Sequence, residues 1–327
     1  MPSHPFFKSE RLETSEPYKY EKRIERQPHP FENYIHQPLL PRHIRLLAIT
    51  SGSEDFCIIH TSLDTAPTYS SVSYSWNNQL RDHDLQIDGS NLKVIENIRT
   101  ALPHLIKQAS TQFLWIDEIC IDQENNEERA GQIRLMSDIY TKCLECLIWL
   151  GEGTPESDIA IEAIPRISQL LKLHDPVLVW EREGIAVRSP NVLDSPLWKG
   201  LVYIFSRPWF RRVWTFQEAV LPENVGFLCG GKVLAFRDIE PMAMDLLNHL
   251  SSLQVFFHNS ELGEKSLFAG FLRVLKISSF KNKDQESKEP LDTLKLLYFT
   301  RPLTASNRLD KIYGILGLAD KTLTENL

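Results

Sequence analysis

The sequence has few cysteines, no long apolar run and no excess of basic residues. Each shortage excludes something. A membrane span needs about 20 consecutive apolar residues, and the densest apolar run, Cys146 to Leu150, is only strand length. The five cysteines, at 57, 120, 143, 146 and 229, are odd in number and scattered, whereas a secreted chain more often carries a paired set. The first residues, Met-Pro-Ser-His-Pro-Phe-Phe-Lys, lack the basic start, apolar core and small-residue cleavage site of a signal peptide. The expectation is a cytoplasmic protein with reduced thiols. Acidic residues outnumber basic ones, 43 to 36, for a net charge of −7. A nucleic-acid partner is disfavoured, because binding phosphates calls for the opposite balance. There is no G-x-S-x-G, H-E-x-x-H or Walker A sequence. The ten His residues show no ligand spacing, so no metal site is expected.

What remains is a globular composition: 327 residues, 42% hydrophobic and 24% charged. That length fits two domains or one large domain with insertions. Cys143 and Cys146 form one C-x-x-C, but it closes a predicted helix and runs into a strand. A redox pair belongs at a helix N-terminus, and a zinc site needs further ligands. Both are read as core cysteines.

Residues 1 to about 33 are rich in Pro, Glu, Lys and Arg and read as an arm or surface strap. Ile44–Ile49 and Asp55–His60 are strand candidates joined by a turn at Ser51-Gly52-Ser53. Val72–Trp76 follows as a short aromatic segment. Leu92, Ile95, Ile98, Leu102 and Leu105 have helical spacing, with Ser90 or Asn91 as N-cap and Pro103 as a kink or restart. Phe113–Ile116 reads as a buried strand, Asp117–Asn126 as a polar turn, and a helix starts near Asn125 or Asn126. Leu147–Leu150 is a second buried strand, ended by Gly151-Glu-Gly153. Residues 155–200 are mixed and read as an insertion. Trp209–Leu221 reads as a helix, Val225–Cys229 as a strand, and Gly230-Gly231 as a turn. Further helices are expected at about 241–258, 265–279, 291–300 and 309–318, with a charged mobile break from Lys281 to Glu289.

Alternating strands and helices predict an α/β fold with a parallel sheet and crossover helices. Such sheets bind ligands beyond the carboxyl ends of their strands, which places residues 117–126 and 151–157 at the ligand edge. Asp117, Glu118, Asp122 and Gln123 form an acidic cluster there. They could hold a ribose or a cation, or they could cap the next helix and bind Arg129. Tyr74, Ser75 and Trp76 end the preceding strand and either stack on a ligand ring or fill the core. Arg207, Arg211 and Arg212 crowd one helix start. They either bind phosphate through their forked guanidinium groups or form an ion-pair network with the acidic cluster.

Four motifs occur in fixed order: Tyr69-Ser-Ser-Val-Ser-Tyr-Ser-Trp76; Leu114-Trp-Ile-Asp-Glu-Ile-Cys-Ile-Asp-Gln123, continuing through Glu128-Arg129, Met136, Ile139-Tyr140 and Ile148-Trp-Leu-Gly-Glu152; Arg207-Pro-Trp-Phe-Arg-Arg-Val-Trp-Thr-Phe-Gln-Glu218 with Cys229-Gly230; and Arg308-Leu-Asp-Lys-Ile-Tyr-Gly-Ile-Leu-Gly317. Together they resemble the fungal heterokaryon-incompatibility (HET) domain family over about residues 38–320. Asn77 departs from the Gly that usually follows the Trp of the first motif. The resemblance divides the chain into an arm at 1–37, a HET-like domain at 38–320 and a tail at 321–327. Within the domain, an α/β core spans about 38–237 and a mainly helical part about 238–320.

The resemblance implies an effector or trigger of regulated cell death in nonself recognition between fungal strains. It also implies a distant similarity to TIR-type domains, some of which cleave NAD with a helix glutamate in a Trp-x-x-x-Glu pattern. Trp214 and Glu218 stand in that pattern here. By that implication Glu218 is the first catalytic candidate and Asp117 the second, with Tyr74, Ser75, Trp76, Glu118, Arg207, Arg211 and Trp214 as ligand-binding candidates. A carboxylate would stabilise the oxocarbenium-like state reached when the nicotinamide–ribose bond breaks. Glu218 could instead pair with Arg211, Arg212 or a helix neighbour. NAD or a related nucleotide is the candidate substrate, and no tightly bound cofactor is expected. The competing reading is a non-enzymatic module that passes on a death signal by contact, through self-association or with a receptor or allelic partner protein.

Overall fold

The computed structural model describes residues 33–49, 56–76, 79–183, 194–248, 262–287 and 293–319. Most of the expected N-terminal arm, the 51–53 turn, Asn77 and the 321–327 tail lie outside those residues. The chain divides into two compact units, 1–147 with 222–224, and 148–221 with 225–327.

The first unit begins with the antiparallel strands β1 (His43–Ala48) and β2 (Cys57–Ser62). This is the hairpin expected from the sequence. Next come β3 (Ser70–Tyr74), β4 (Arg81–Ile87) and β5 (Ser90–Ile95). Helix α1 (Glu96–Gln108) leads to β6 (Phe113–Trp115), the helical turn α2 (Asp117–Cys120), helix α3 (Asn126–Lys142) and β7 (Glu145–Trp149). Strand order in this unit is β2-β1-β6-β3, followed by the first three residues of β7, Glu145–Leu147. β3 and β6 are parallel, while β1 pairs antiparallel with both β2 and β6. The α/β reading therefore holds, with the parallel strands at the centre.

Three local expectations are corrected here. Residues 90–95 form a strand and not the start of a helix. Asp88 and Gly89 both take positive φ, 51° and 73°, so they close a tight hairpin between β4 and β5. Helix α1 then begins at Glu96 and runs unbroken through Pro103, burying Ile98, Ala101, Leu102 and Leu105. Residues 117–120 are helical and not a turn. The start of α3 is as expected, since the Asn125 side chain accepts hydrogen bonds from the Glu127 and Glu128 amides.

The second unit contains α4 (Pro155–Leu170), α5 (Pro176–Arg182) and α6 (Pro196–Phe205), so the expected insertion is largely helical. α4 opens with a capping box between Thr154 and Ser157. The expected 209–221 helix is two pieces, a 3-10 turn at Pro208–Arg211 and α7 at Thr215–Val220. β8 (Asn224–Cys229) turns through the expected Gly230-Gly231 into β9 (Lys232–Ala235). Among the described residues four α-helices follow: α8 (Glu240–Asn248), α9 (Leu262–Ser287), α10 (Thr293–Thr300) and α11 (Asp310–Leu316). The charged break expected at 281–289 is helical as far as Ser287. Lys, Gln and Glu are good helix formers, and the first proline is Pro290.

Glycine sets one close packing. A methyl group at Gly200 of α6 would overlap the Glu156 carbonyl of α4. Gly131 of α3 has open space where its Cβ would stand. Gly200→Ala should therefore lower unfolding free energy by about 2–3 kcal/mol. Gly131→Ala should raise it by about 0.5–1 kcal/mol. Urea unfolding of the two variants checks the opposite signs.

Candidate functional site

The parallel pairing of β3 and β6 brings the ends of both strands to one edge, with Ser71 opposite Trp115. Five of the sequence candidates converge there: Tyr74, Ser75, Trp76, Asp117 and Glu118. Asp117 Oδ1 accepts from the Tyr74 hydroxyl at 2.7 Å and from the Glu118 amide at 2.8 Å, and Oδ2 accepts from Trp76 Nε1 at 3.2 Å. Tyr74 and Trp76 stack at 6.3 Å. Ser75 is buried, and its carbonyl accepts from Asn97 Nδ2 at 2.8 Å.

The Glu118 side chain is 0% exposed. Its Oε1 accepts the Ile95 amide at 2.8 Å and lies 3.4 Å from Arg81 Nε, and its Oε2 lies 3.4 Å from the Tyr74 hydroxyl. Burial pushes its carboxyl up to about 7, and the charge of Asp117 pushes the same way. The Ile95 amide, Arg81 and Tyr74 pull it back only in part. Glu118 also lines a cleft of about 510 Å³ with Tyr34, His36, Arg81, Lys93 and Gln123. That volume suits a small-molecule site. The loop after α2 is fixed by Gln123, which donates to the Asp117 carbonyl at 2.9 Å, and by Glu128, which accepts the Asp122 amide at 2.7 Å.

The remaining candidates belong to the second unit. Glu218 on α7 is 7% exposed. Its charge acts on Arg273 of α9, a buried guanidinium that donates to the Thr215 hydroxyl at 3.1 Å and the Arg212 carbonyl at 3.2 Å. Burial lowers the pKa of Arg273 to about 9, while Glu218 works to raise it. Arg207 donates to the Glu152 carbonyl at 2.9 Å and lies over the Tyr203 ring at 3.8 Å. Arg211 donates to the Ser206 carbonyl at 3.0 Å. Trp214 packs against Gly314 of α11. Cys143 and Cys146 are buried thiols outside any disulfide, and burial pushes the Cys143 thiol up to about 11. Both fit their reading as core cysteines.

Sequence reasoning missed Arg81, His36, Lys93 and Arg273. The Asp88-Gly89 pair could have revealed the hairpin that carries Arg81 and Lys93. Arg273 falls on the same helical face as Gly270 and Ile277, an apolar stripe where a charge stands out.

Residues 69–218 match the family described as "Heterokaryon incompatibility protein (HET)". The chain is 28% identical to "Heterokaryon incompatibility protein 6, OR allele" of Neurospora crassa over 326 aligned positions. The alignment covers 85% of this chain and 47% of that protein, so the chain spans about half the length of its curated relative. No solved structure matches. No helix among the described residues is long and apolar enough to cross a membrane.

Two outcomes follow from the carboxylates. Glu118 has a folded pKa near 7, above its ordinary 4.5, so its stability contribution is full below pH 4.5 and lost as pH rises to 7. Glu118→Gln should flatten that part of the pH–stability profile and raise stability at pH 8 by about 1–3 kcal/mol. Thermal melts from pH 4 to 9 check it. For the other pair, Glu218→Gln and Arg273→Met should each cost about 3 kcal/mol, because each strands a buried charge. The double variant should recover at least about 1 kcal/mol relative to the sum, as measured by a double-mutant cycle in urea.

Proposed function

We propose, from the premise that residues 69–218 carry the heterokaryon incompatibility (HET) domain, that this protein acts in fungal nonself recognition as an effector or trigger of regulated cell death. Its activity is hydrolysis of NAD or a related nucleotide at the N-glycosidic bond. The observation that carries this reading is the Asp117–Glu118 pair beside the cleft. Tyr74 and Trp76 hold Asp117 by side-chain hydrogen bonds, which fixes a negative charge where an oxocarbenium-like ribose would develop positive charge. Glu118 titrates at about 7, in the range where a carboxyl group can exchange a proton during the reaction. Glu218 remains the other catalytic candidate, through its Trp-x-x-x-Glu position.

A second reading has its own observation. Glu218 is buried and balances Arg273, as a structural carboxylate would. This supports a contact module that passes on the death signal without chemistry.

NAD content and viability of cells expressing the protein separate the two. Asp117→Asn and Glu118→Gln should each cut NAD loss by about 100-fold or more and abolish toxicity. Glu218→Gln should do so only if Glu218 takes part in the chemistry. If toxicity persists unchanged in all three variants while each remains folded by its melting curve, hydrolysis is refuted and signalling by contact stands.

A further inference from the structure

We propose that the cleft of the first unit is an oxyanion site gated by Glu118. Protonation of Glu118 removes the buried counter-charge of Arg81, and Arg81 and Lys93 then hold the phosphate or sulfate group of a soluble small molecule. The inference rests on the cleft being a ligand site and not on hydrolysis, so the two can fail separately.

The cations of the cleft are held unequally. Arg81 lies 3.4 Å from Glu118 and 3.2 Å from Glu124, but Glu124 is 91% exposed. Its guanidinium lies over the Trp76 ring at 5.2 Å, and Nη2 has no hydrogen-bond partner among the described residues. Lys93 pairs with Asp84 at 2.9 Å, and both side chains are about half exposed. Exposed pairs of this kind exchange readily for a better ligand, since they are worth about 1 kcal/mol or less. Glu118 is therefore the counter-ion that decides whether Arg81 is free.

Protonation of Glu118 leaves its other bonds in place. A proton from solvent on Oε2 is donated to the Tyr74 oxygen, and Tyr74 continues to donate to Asp117. Oε1 keeps the Ile95 amide. Only the charge that held Arg81 is lost. The ionisable groups around Glu118 are Asp117 beside it, Tyr74 from β3 and Arg81 from β4. The cleft adds His36, Lys93, Asp122 and Glu124. His36 donates Nε2 to the Ile119 carbonyl at 2.9 Å, and burial lowers its pKa.

Sulfate is a suitable probe because its charge does not change between pH 6 and 8. Its binding to the full chain is measured by calorimetry at both pH values, with ionic strength held constant by chloride. The wild type should bind about tenfold more tightly at pH 6 than at pH 8. Glu118→Gln should bind tightly at both, Arg81→Gln weakly at both, and Arg81→Lys should keep the pH dependence. His36→Gln should behave as the wild type, which separates Glu118 from the second titrating group of the cleft. Equal wild-type affinity at the two pH values would overturn the proposal. So would pH dependence surviving in Glu118→Gln, or Arg81→Gln binding as the wild type does.

Discussion

One buried ion pair holds the site side of the first unit together. Arg45, wholly buried on β1, donates to both carboxylate oxygens of Glu128 at 2.6 and 2.9 Å and to the Cys120 carbonyl at 3.0 Å. It also donates to the Gln37 carbonyl. Glu128 in turn accepts the Asp122 amide. Burial is the largest influence on Glu128 and raises its pKa, but the hydrogen bonds and charge of Arg45 together with the Asp122 amide outweigh it, and the net shift is downward. Strand β1, the end of α2, the loop after it and the first turn of α3 are thus fixed to one guanidinium. A charge this deep is costly unless every partner is in place, and so it specifies one arrangement of the acidic loop. Asp117 and Glu118 inherit their positions from it.

Three buried glutamates show how surroundings decide what a carboxylate does. Glu145 accepts from the Ser70 hydroxyl and from both the amide and the hydroxyl of Ser110, and it has no place at the cleft. It joins β7 to β3 and to the turn before β6. Glu218 faces the buried charge of Arg273 and ties α7 to α9. Glu118 alone of the three lines the cleft, and its cationic neighbour Arg81 is partly exposed. Residue type and depth are the same in all three. The difference lies in what stands opposite and whether solvent can reach it.

The sheet was legible because buried strands such as Phe113–Trp115 and Glu145–Trp149 are short apolar runs between polar turns. The edge carrying Tyr74, Trp76 and Asp117 followed from parallel-sheet geometry. Much of the rest was hidden for physical reasons. The apolar spacing from Leu92 onward fits a helix as well as a strand leading into one, and only the positive φ of Asp88 and Gly89 decides between them. The long helix α9 runs past its expected end because its Lys, Gln and Glu residues favour helix although their polarity resembles that of a loop. Arg81 reaches Glu118 from 37 positions earlier in the chain, a pairing that no local pattern encodes.

Oxyanion binding at the cleft turns on the protonation of one buried carboxyl group. The direct measurement is the carboxyl-carbon chemical shift of Glu118 followed by NMR from pH 4 to 9, with Glu118→Gln used for assignment. The expected midpoint is at about 7. A midpoint at the ordinary value near 4.5 would contradict it, since Glu118 would then remain ionised at neutral pH and keep Arg81 paired throughout.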